Sequence, residues 1–160
     1  MLFRSNERKR NASDLLVIHL NVNDNQNKFD ELKVLNRQLK AHVIFLSETK
    51  IDSSYPSSQF HLEGYHMYRK DRAKGGGGLL AYISTELSPQ RVKLPRQYKF
   101  IEVLAVKVSI NNNDVLFVGV YRPPKVVGMN YFDKLEEEMN SSMSCQVHVM
   151  ALLGATSCSS

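Results

Sequence analysis

The most constraining feature of the sequence is a strand–helix–strand pattern in its first third. The apolar runs at residues 15–20 and 43–46 have the length and composition of buried strands. Residues 27–40 between them carry apolar side chains at helical spacing: Phe29, Leu32, Leu35 and Leu39. A crossover that joins parallel neighbouring strands is almost always right-handed, and both strands then end at the same edge of the sheet. The order therefore predicts an α/β unit with such an edge.

Polar residues stand at both of these strand ends. Asn21 follows the run "LLVIHL", and Glu48 follows "VIFLS". Because ligands of open α/β sheets bind outside the carboxyl ends of the strands, we expect both side chains to face one cleft. An amide oxygen beside a carboxylate suits a hard cation such as Mg²⁺. Each residue alone also has an ordinary explanation, since Glu48 could cap a loop or pair with Lys50, and Asn21 could bind loop backbone.

The size and charge of the chain narrow its class without fixing a partner. Its 160 residues suit one domain, which we expect over residues 15–153, with a loose lead-in at 1–14 and a small-residue tail at 154–160. The net charge of +5 is compatible with a phosphate-bearing partner. A moderate positive charge is also common in domains that bind no nucleic acid.

Cysteine content and hydropathy predict an intracellular protein without a membrane partner. The two cysteines are too few for a disulfide scaffold of this size. The start "MLFRSNERKR" lacks the apolar segment of a signal peptide, and no run approaches the ~18 apolar residues of a membrane helix. The charged stretch "ERKR" fits either a nuclear address or a solvated terminus.

The rest of the chain is predicted to be mostly β. Strand patterns occur at 65–70, 79–84, 101–110, 115–121 and 146–153, with a hairpin at "NNND" and a second helix within 130–143. The run at 115–121 is apolar on both faces, which is typical of a central strand. Residues 85–99 are basic and contain proline, so we interpret them as a connection.

Four glycines at 75–78 predict a turn with cations beside it. The run lacks the Gly-Lys-Ser/Thr ending of a P-loop, so a flexible turn is the simplest interpretation. The neighbouring cations would suit contact with a phosphate backbone: Arg69, Lys70, Arg72 and Lys74. Tyr121, at the end of the predicted central strand, could present its hydroxyl to a phosphate or serve as a core ring with a solvated tip.

Taken together, the motifs "HLNVN", "FLSETK", "DRAKGGGGLLAYIS" and "VGVYRPP" resemble the endonuclease/exonuclease/phosphatase superfamily, which has the DNase-I-like fold. The similarity is greatest to the endonuclease domain that precedes the reverse transcriptase in non-LTR retrotransposons. The resemblance implies an α/β (α+β) four-layer sandwich, with two packed β-sheets flanked by helices. It also implies Mg²⁺-dependent phosphodiester cleavage, with Mn²⁺ as an alternative metal and DNA as the expected partner.

The resemblance assigns roles to three residues, and the sequence departs from the family pattern in two later stretches. Glu48 matches the metal-binding glutamate, Asn21 the first active-site asparagine and Tyr121 the tyrosine that contacts the scissile phosphate. At residues 154–157, "GATS" stands where the family has Gly-Asp-x-Asn, so Ala155 replaces the aspartate that orients or deprotonates water. The later Ser-Asp-His stretch of the family has no counterpart here.

These departures predict a domain whose C-terminal part is missing and whose catalysis is weak or absent, because a base or metal ligand is lost. Two other interpretations stay open. The chain could be a non-catalytic nucleic-acid-binding module that uses the cationic turn, or a non-functional retroelement fragment.

Overall fold

Two β-sheets form the framework of the computed structural model, which describes residues 14–23, 25–71, 77–93, 102–122 and 146–153. Sheet A contains β1 (Val17–Asn21), β2 (Val43–Ser47), β3 (Tyr65–Lys70) and β4 (Leu79–Ser84), in the spatial order β1-β2-β4-β3. Sheet B contains β5 (Ser88–Val92), β6 (Glu102–Ile110), β7 (Asn113–Arg122) and β8 (Gln146–Leu153), side by side in that order. Helix α1 spans Asn25–Leu39, and a 3₁₀ turn spans Ser57–Phe60.

The predicted strand–helix–strand unit is present. β1 and β2 are parallel, with Val17 opposite Val43 and Asn21 opposite Ser47. The helix packs its apolar side chains on the outer face of sheet A, in a cluster that includes Phe29, Leu32, Ile44, Leu46 and Tyr82. The burial expected for β1 is only half realised, since this strand lies at the edge of sheet A in the described structure. No helix among the described residues is long and apolar enough to cross a bilayer.

The two sheets pack face to face through alternating residues of their strands. This inner core contains Val43, Phe45, Leu79, Ala81 and Ile83 from sheet A, and Leu104, Val106, Val108, Val115, Phe117 and Tyr121 from sheet B. The sheets approach each other closely where the Phe45 ring lies over Gly119. A Cβ built on Gly119 would stand 2.7 Å from Phe45 Cδ1, so only glycine fits here without a shift.

Strand β5 corrects one sequence expectation. Residues 85–99 are predicted as a connection, yet Ser88–Val92 pairs antiparallel with β6, with Pro89 opposite Val108. Among the described strands β5 lies at the edge of sheet B, and edge strands tolerate proline because one row of their backbone groups has no ladder to complete. Its mostly exposed pattern explains why apolar alternation is absent from the sequence.

The remaining strands follow their sequence patterns. β6 and β7 form the predicted hairpin, and its turn residues Asn111 and Asn112 have left-handed φ values of 50° and 62°. β7 lies between β6 and β8, as predicted for a strand that is apolar on both faces. It pairs with β8 in parallel. The helix predicted at 130–143, residues 1–13 of the lead-in and the tail at 154–160 lie outside the described residues.

Candidate functional site

Strand register places several polar residues at one end of the sandwich. Asn21, Ser47, Leu79 and Lys70 stand side by side in one row across sheet A. In sheet B, Glu102 stands opposite Tyr121. The Glu102 carboxylate accepts a hydrogen bond from the Gly78 backbone N–H at 2.5 Å, which ties this end of sheet B to the same end of sheet A. We call the end formed by Asn21, Glu48, Gly78, Glu102 and Tyr121 the site edge.

The structure brings Asn21 and Glu48 together at the site edge. Asn21 Nδ2 donates a hydrogen bond to Glu48 Oε1 at 2.9 Å. Asn21 Oδ1 in turn accepts from the Asn23 backbone N–H at 3.1 Å, which fixes the orientation of the amide. Asn21 is exposed and Glu48 is half-buried, so both can meet a ligand from solvent. The proximity of the two side chains is expected from the parallel strand ends, but the amide presents its Nδ2 and not its oxygen to the carboxylate.

The backbone after β2 takes an uncommon conformation that turns the Glu48 side chain. Glu48 and Lys50 have φ values of 55° and 53°, in the left-handed region that side chains other than Gly, Asn and Asp rarely adopt. No ion pair joins Glu48 to Lys50 in the described part of the chain, which removes one of the ordinary explanations for this carboxylate. Strained backbone of this kind persists where the surroundings hold it in place, and it clusters at functional sites.

The donors at Asn21 and Glu48 fit a magnesium ion that keeps most of its water. Mg²⁺ is typically bound through one or two carboxylates and several waters, and both groups offer hard oxygen donors. The only hydrogen bond of the Glu48 carboxylate within the described residues is the one to Oε1, so Oε2 is available. Asn21 Oδ1 has a second lone pair. Residues 14–23, 25–71, 77–93 and 102–122 contain no cluster of three or more His, Cys, Asp or Glu side chains, so an all-protein cage is not formed there.

Two features of the site edge escape analysis of the sequence. Glu102 is 8% exposed and points, like Leu104 on the same strand face, toward sheet A. Gly77 and Gly78 adopt φ values of 82° and 91°, and their carbonyls accept hydrogen bonds from the Lys50 and Thr49 backbone N–H groups. The sequence does offer one sign of this role for Glu102. A carboxylate begins a strand whose other inward-facing residues, such as Leu104 and Val106, are apolar. The glycine run is visible in the sequence, but its contacts depend on tertiary structure.

Tyr121 lies at the site edge with its ring in the inner core. The residue is 7% exposed and packs with apolar side chains of both sheets. This burial agrees with the interpretation as a core ring, and the phosphate contact stays a prediction.

The structure describes two of the four cations predicted beside the glycine turn, and these two have different surroundings. The Arg69 guanidinium donates to the Tyr55 and Asp52 carbonyls at 3.0 and 3.1 Å, and pairs with Asp71 at 2.7 Å. Its side chain is only 11% exposed, so it holds the loop after β2. Lys70 is exposed and shares the row of Asn21. Arg72 and Lys74 lie outside the described residues.

The fold of this chain is similar to that of several solved structures. At 11% identity and a TM-score of 0.61, the chain is similar to the endonuclease domain of TRAS1, a telomere-specific non-LTR retrotransposon. It is also similar to the 3′ phosphatase NExo from Neisseria bound to a product DNA hairpin (15% identity, TM-score 0.61). A third likeness is to D. rerio TDP2 complexed with a single-stranded DNA product (10% identity, TM-score 0.55). The chain has the DNase-I-like fold.

This DNase-I-like chain is covered to 84%, 86% and 86% by the three matches, and it spans 57%, 57% and 58% of their lengths. The likeness confirms the fold expected from the four motifs, with two packed sheets and a helix outside. A scan against protein-family models finds no match, and a search of curated proteins finds none either.

The stability of this DNase-I-like domain is expected to depend on pH through His19, which lies on β1 near the site edge. Its Nε2 lies 3.1 Å from Ser47 Oγ, and burial lowers the pKa of the imidazole below its ordinary value of 6.5. The unfolded chain therefore binds a proton at higher pH than the folded chain does, so stability should fall as pH drops through 6.5. We expect His19→Gln to flatten this slope, as measured by urea midpoints at several pH values between about 5 and 8. An equal slope in the variant would place the titrating group elsewhere.

Proposed function

We propose that this chain is a Mg²⁺-dependent phosphodiester hydrolase of the nuclease type that acts on DNA. The observation that carries the proposal is the hydrogen bond of 2.9 Å between Asn21 and Glu48 at the site edge. A fixed carboxylate with an available oxygen is the minimum that such a cation needs from the protein. The similarity of fold to a retrotransposon endonuclease domain supports this class of reaction. Mn²⁺ is the alternative metal.

The residues of the site edge would divide the work as follows. Glu48 would hold the cation with its carboxylate, and Asn21 restrains the rotation of that carboxylate by its bond to Oε1. When bound, the cation supplies charge stabilisation at the phosphate and a lowered pKa for water. Tyr121 would donate its hydroxyl to the scissile phosphate from the end of β7.

Turnover by this chain is expected to be slow. Ala155 stands where the family motif has an aspartate, and alanine offers neither a base nor a ligand. Loss of a general base typically costs about 10²- to 10⁴-fold in rate. A sensitive nicking assay is therefore the right measurement, because one cut in supercoiled plasmid changes its mobility.

DNA would bind along the row of strand positions that runs across sheet A from Asn21 to Lys70. Three strand spacings of about 4.8 Å separate this lysine from Asn21, so a backbone phosphate about 14 Å from the cleavage point could reach it. Arg72 and Lys74 follow at once in the sequence and add positive charge. The Neisseria and D. rerio proteins were captured with DNA products, which supports this substrate class.

Substitutions of Lys70 and Arg69 distinguish a residue that contacts DNA from one that supports the loop after β2. Lys70→Gln should weaken DNA binding and reduce the slope of log K against log salt by about 1, with stability unchanged. Arg69→Gln should instead lower the free energy of unfolding by about 1–3 kcal/mol, because several hydrogen bonds of a charged group are lost. Fluorescence anisotropy at several salt concentrations and urea denaturation measure the two effects. Unchanged DNA binding by Lys70→Gln would remove this lysine from the substrate surface.

The proposal is tested by nicking of supercoiled plasmid with Mg²⁺ or with EDTA. The purified chain is compared with Glu48→Ala and with Glu63→Ala, an exposed glutamate remote from the site edge. We expect slow Mg²⁺-dependent nicking that Glu48→Ala abolishes and Glu63→Ala retains. Equal activity in wild type and Glu48→Ala, or no activity in either, would refute the assignment and favour a binding module or an inactive remnant.

A further inference from the structure

A buried carboxylate of sheet B reaches across to the loop of sheet A that carries Gly78. Glu102 is the first residue of β6 and is only 8% exposed. Its Oε2 accepts the Gly78 backbone N–H at 2.5 Å, across a sequence separation of 24 residues. A buried backbone N–H that loses its acceptor costs the full desolvation of that group, so this bond is expensive to break. This contact connects the two sheets at the site edge.

The segment held by Glu102 in turn holds the backbone next to Glu48. The Gly77 carbonyl accepts from the Lys50 N–H at 2.9 Å, and the Gly78 carbonyl accepts from the Thr49 N–H at 3.4 Å. Thr49 is buried, with 1% of its surface exposed. Glu48 itself has the left-handed φ of 55°, which needs support from its neighbours. A continuous set of contacts therefore leads from Glu102 to Glu48.

The two glycines are required by this arrangement. A Cβ on Gly77 would lie 2.5 Å from Glu102 Oε1, and a Cβ on Gly78 would lie 2.5 Å from Thr49 Oγ1. Both residues also have positive φ, which penalises any side chain. The last two glycines of the run thus allow the backbone to fit between Glu102 and Thr49, which is a more specific role than that of a flexible turn.

We propose that Glu102 is a positioning residue for Glu48. Through Gly78 and Gly77 it fixes the peptides of Thr49 and Lys50, and so sets the direction from which the Glu48 carboxylate meets the cation. The inference rests on the proposed function for its consequence in metal binding, and on the contacts above for its mechanism. It assigns Glu102 no contact with the substrate.

Three variants separate positioning from general stabilisation. Glu102→Leu removes the acceptor, whereas Glu102→Gln keeps an acceptor oxygen and the shape of the side chain. Asp114→Leu is the matched control, since Asp114 accepts from Lys107 and Ser109 at the opposite end of the same strand pair. Thermal unfolding of each full-length variant first establishes that it is folded.

Two measurements on the full chain then test the proposal. Amide exchange by NMR, without metal, should be about tenfold faster at Thr49 and Lys50 in Glu102→Leu, while Glu102→Gln stays near wild type. Mn²⁺ binding, followed by the EPR signal of free Mn²⁺, should weaken by about 10-fold or more in Glu102→Leu and recover in Glu102→Gln. Asp114→Leu should change neither quantity.

The outcomes distinguish this inference from the proposed function. Unchanged exchange at Thr49 and Lys50 in Glu102→Leu overturns the inference whatever the metal data show. If Glu48→Gln abolishes Mn²⁺ binding but Glu102→Leu leaves it intact, the positioning role is wrong and the proposed function stands. If wild type binds no Mn²⁺, the proposed function fails, and the exchange data still decide whether Glu102 fixes the loop.

Discussion

Replacing Asn21 with alanine is expected to slow Mg²⁺-dependent nicking by about 10- to 100-fold, the usual effect of removing a group that orients a metal ligand. The Glu48 carboxylate would keep its charge but lose the hydrogen bond of 2.9 Å that restrains Oε1. Because Asn21 is exposed, the substitution should change the free energy of unfolding little. The measurement is the initial nicking rate as a function of Mg²⁺ concentration, where a weaker site needs more metal for half-maximal rate.

A double-mutant cycle decides whether Asn21 acts through Glu48. If it does, Asn21→Ala should slow nicking less in a Glu48→Asp background than in wild type, because the shorter carboxylate is already displaced from the Asn21 amide. Gln59→Ala, which removes an exposed amide elsewhere, serves as the control. Additive losses in the double variant would mean that Asn21 contributes independently, for instance as a direct ligand.

The largest effect on stability is expected where the sheets meet at Phe45 and Gly119. Phe45 is fully buried, and Phe45→Ala should lower the free energy of unfolding by about 3–5 kcal/mol through lost burial and a residual cavity. Gly119→Ala should cost about 1–3 kcal/mol, because the new Cβ would stand 2.7 Å from the Phe45 ring. Equilibrium urea denaturation followed by far-UV circular dichroism measures both values.

Coupling between these two positions is the sharper result. Phe45→Leu removes the ring that the new Cβ would meet, so Gly119→Ala should cost less in that background than in wild type. Val34→Ala, at a site that is 55% exposed on α1, should change stability by less than about 0.5 kcal/mol. The same loss for Gly119→Ala in both backgrounds would mean that its cause lies elsewhere than the Phe45 ring.

The parts of this fold that local patterns determine were predictable from the sequence. The β1–α1–β2 unit follows from apolar runs on either side of a helical stripe, and β1 and β2 are parallel as expected. The two parallel strands end together, and this shared end brings Asn21 close to Glu48, although the left-handed backbone that turns the Glu48 side chain was not predictable. The asparagines at 111 and 112 mark the hairpin because they tolerate left-handed backbone.

The features that were missed depend on contacts between distant segments. β5 carries proline and polar side chains, so only its pairing with β6 reveals it as a strand. The bond from Glu102 to Gly78 joins two sheets, and no spacing in the chain predicts it. The sequence predicts Arg69 as a phosphate contact, but its guanidinium donates hydrogen bonds to the loop carbonyls of Tyr55 and Asp52. In each case tertiary packing decides the role of the residue.

Under the proposed function, the left-handed backbone at Glu48 and Lys50 implies a compromise between stability and activity at this edge. Glycine would adopt the same φ without the steric penalty of roughly 1–2 kcal/mol that a side chain incurs. At position 48 that relief would remove the carboxylate that the proposed function requires, so the more stable variant is expected to lose metal binding. At position 50 the two demands separate, because the contact that matters there is made by the backbone N–H. Lys50→Gly is therefore expected to stabilise this domain without loss of the metal binding proposed for Glu48.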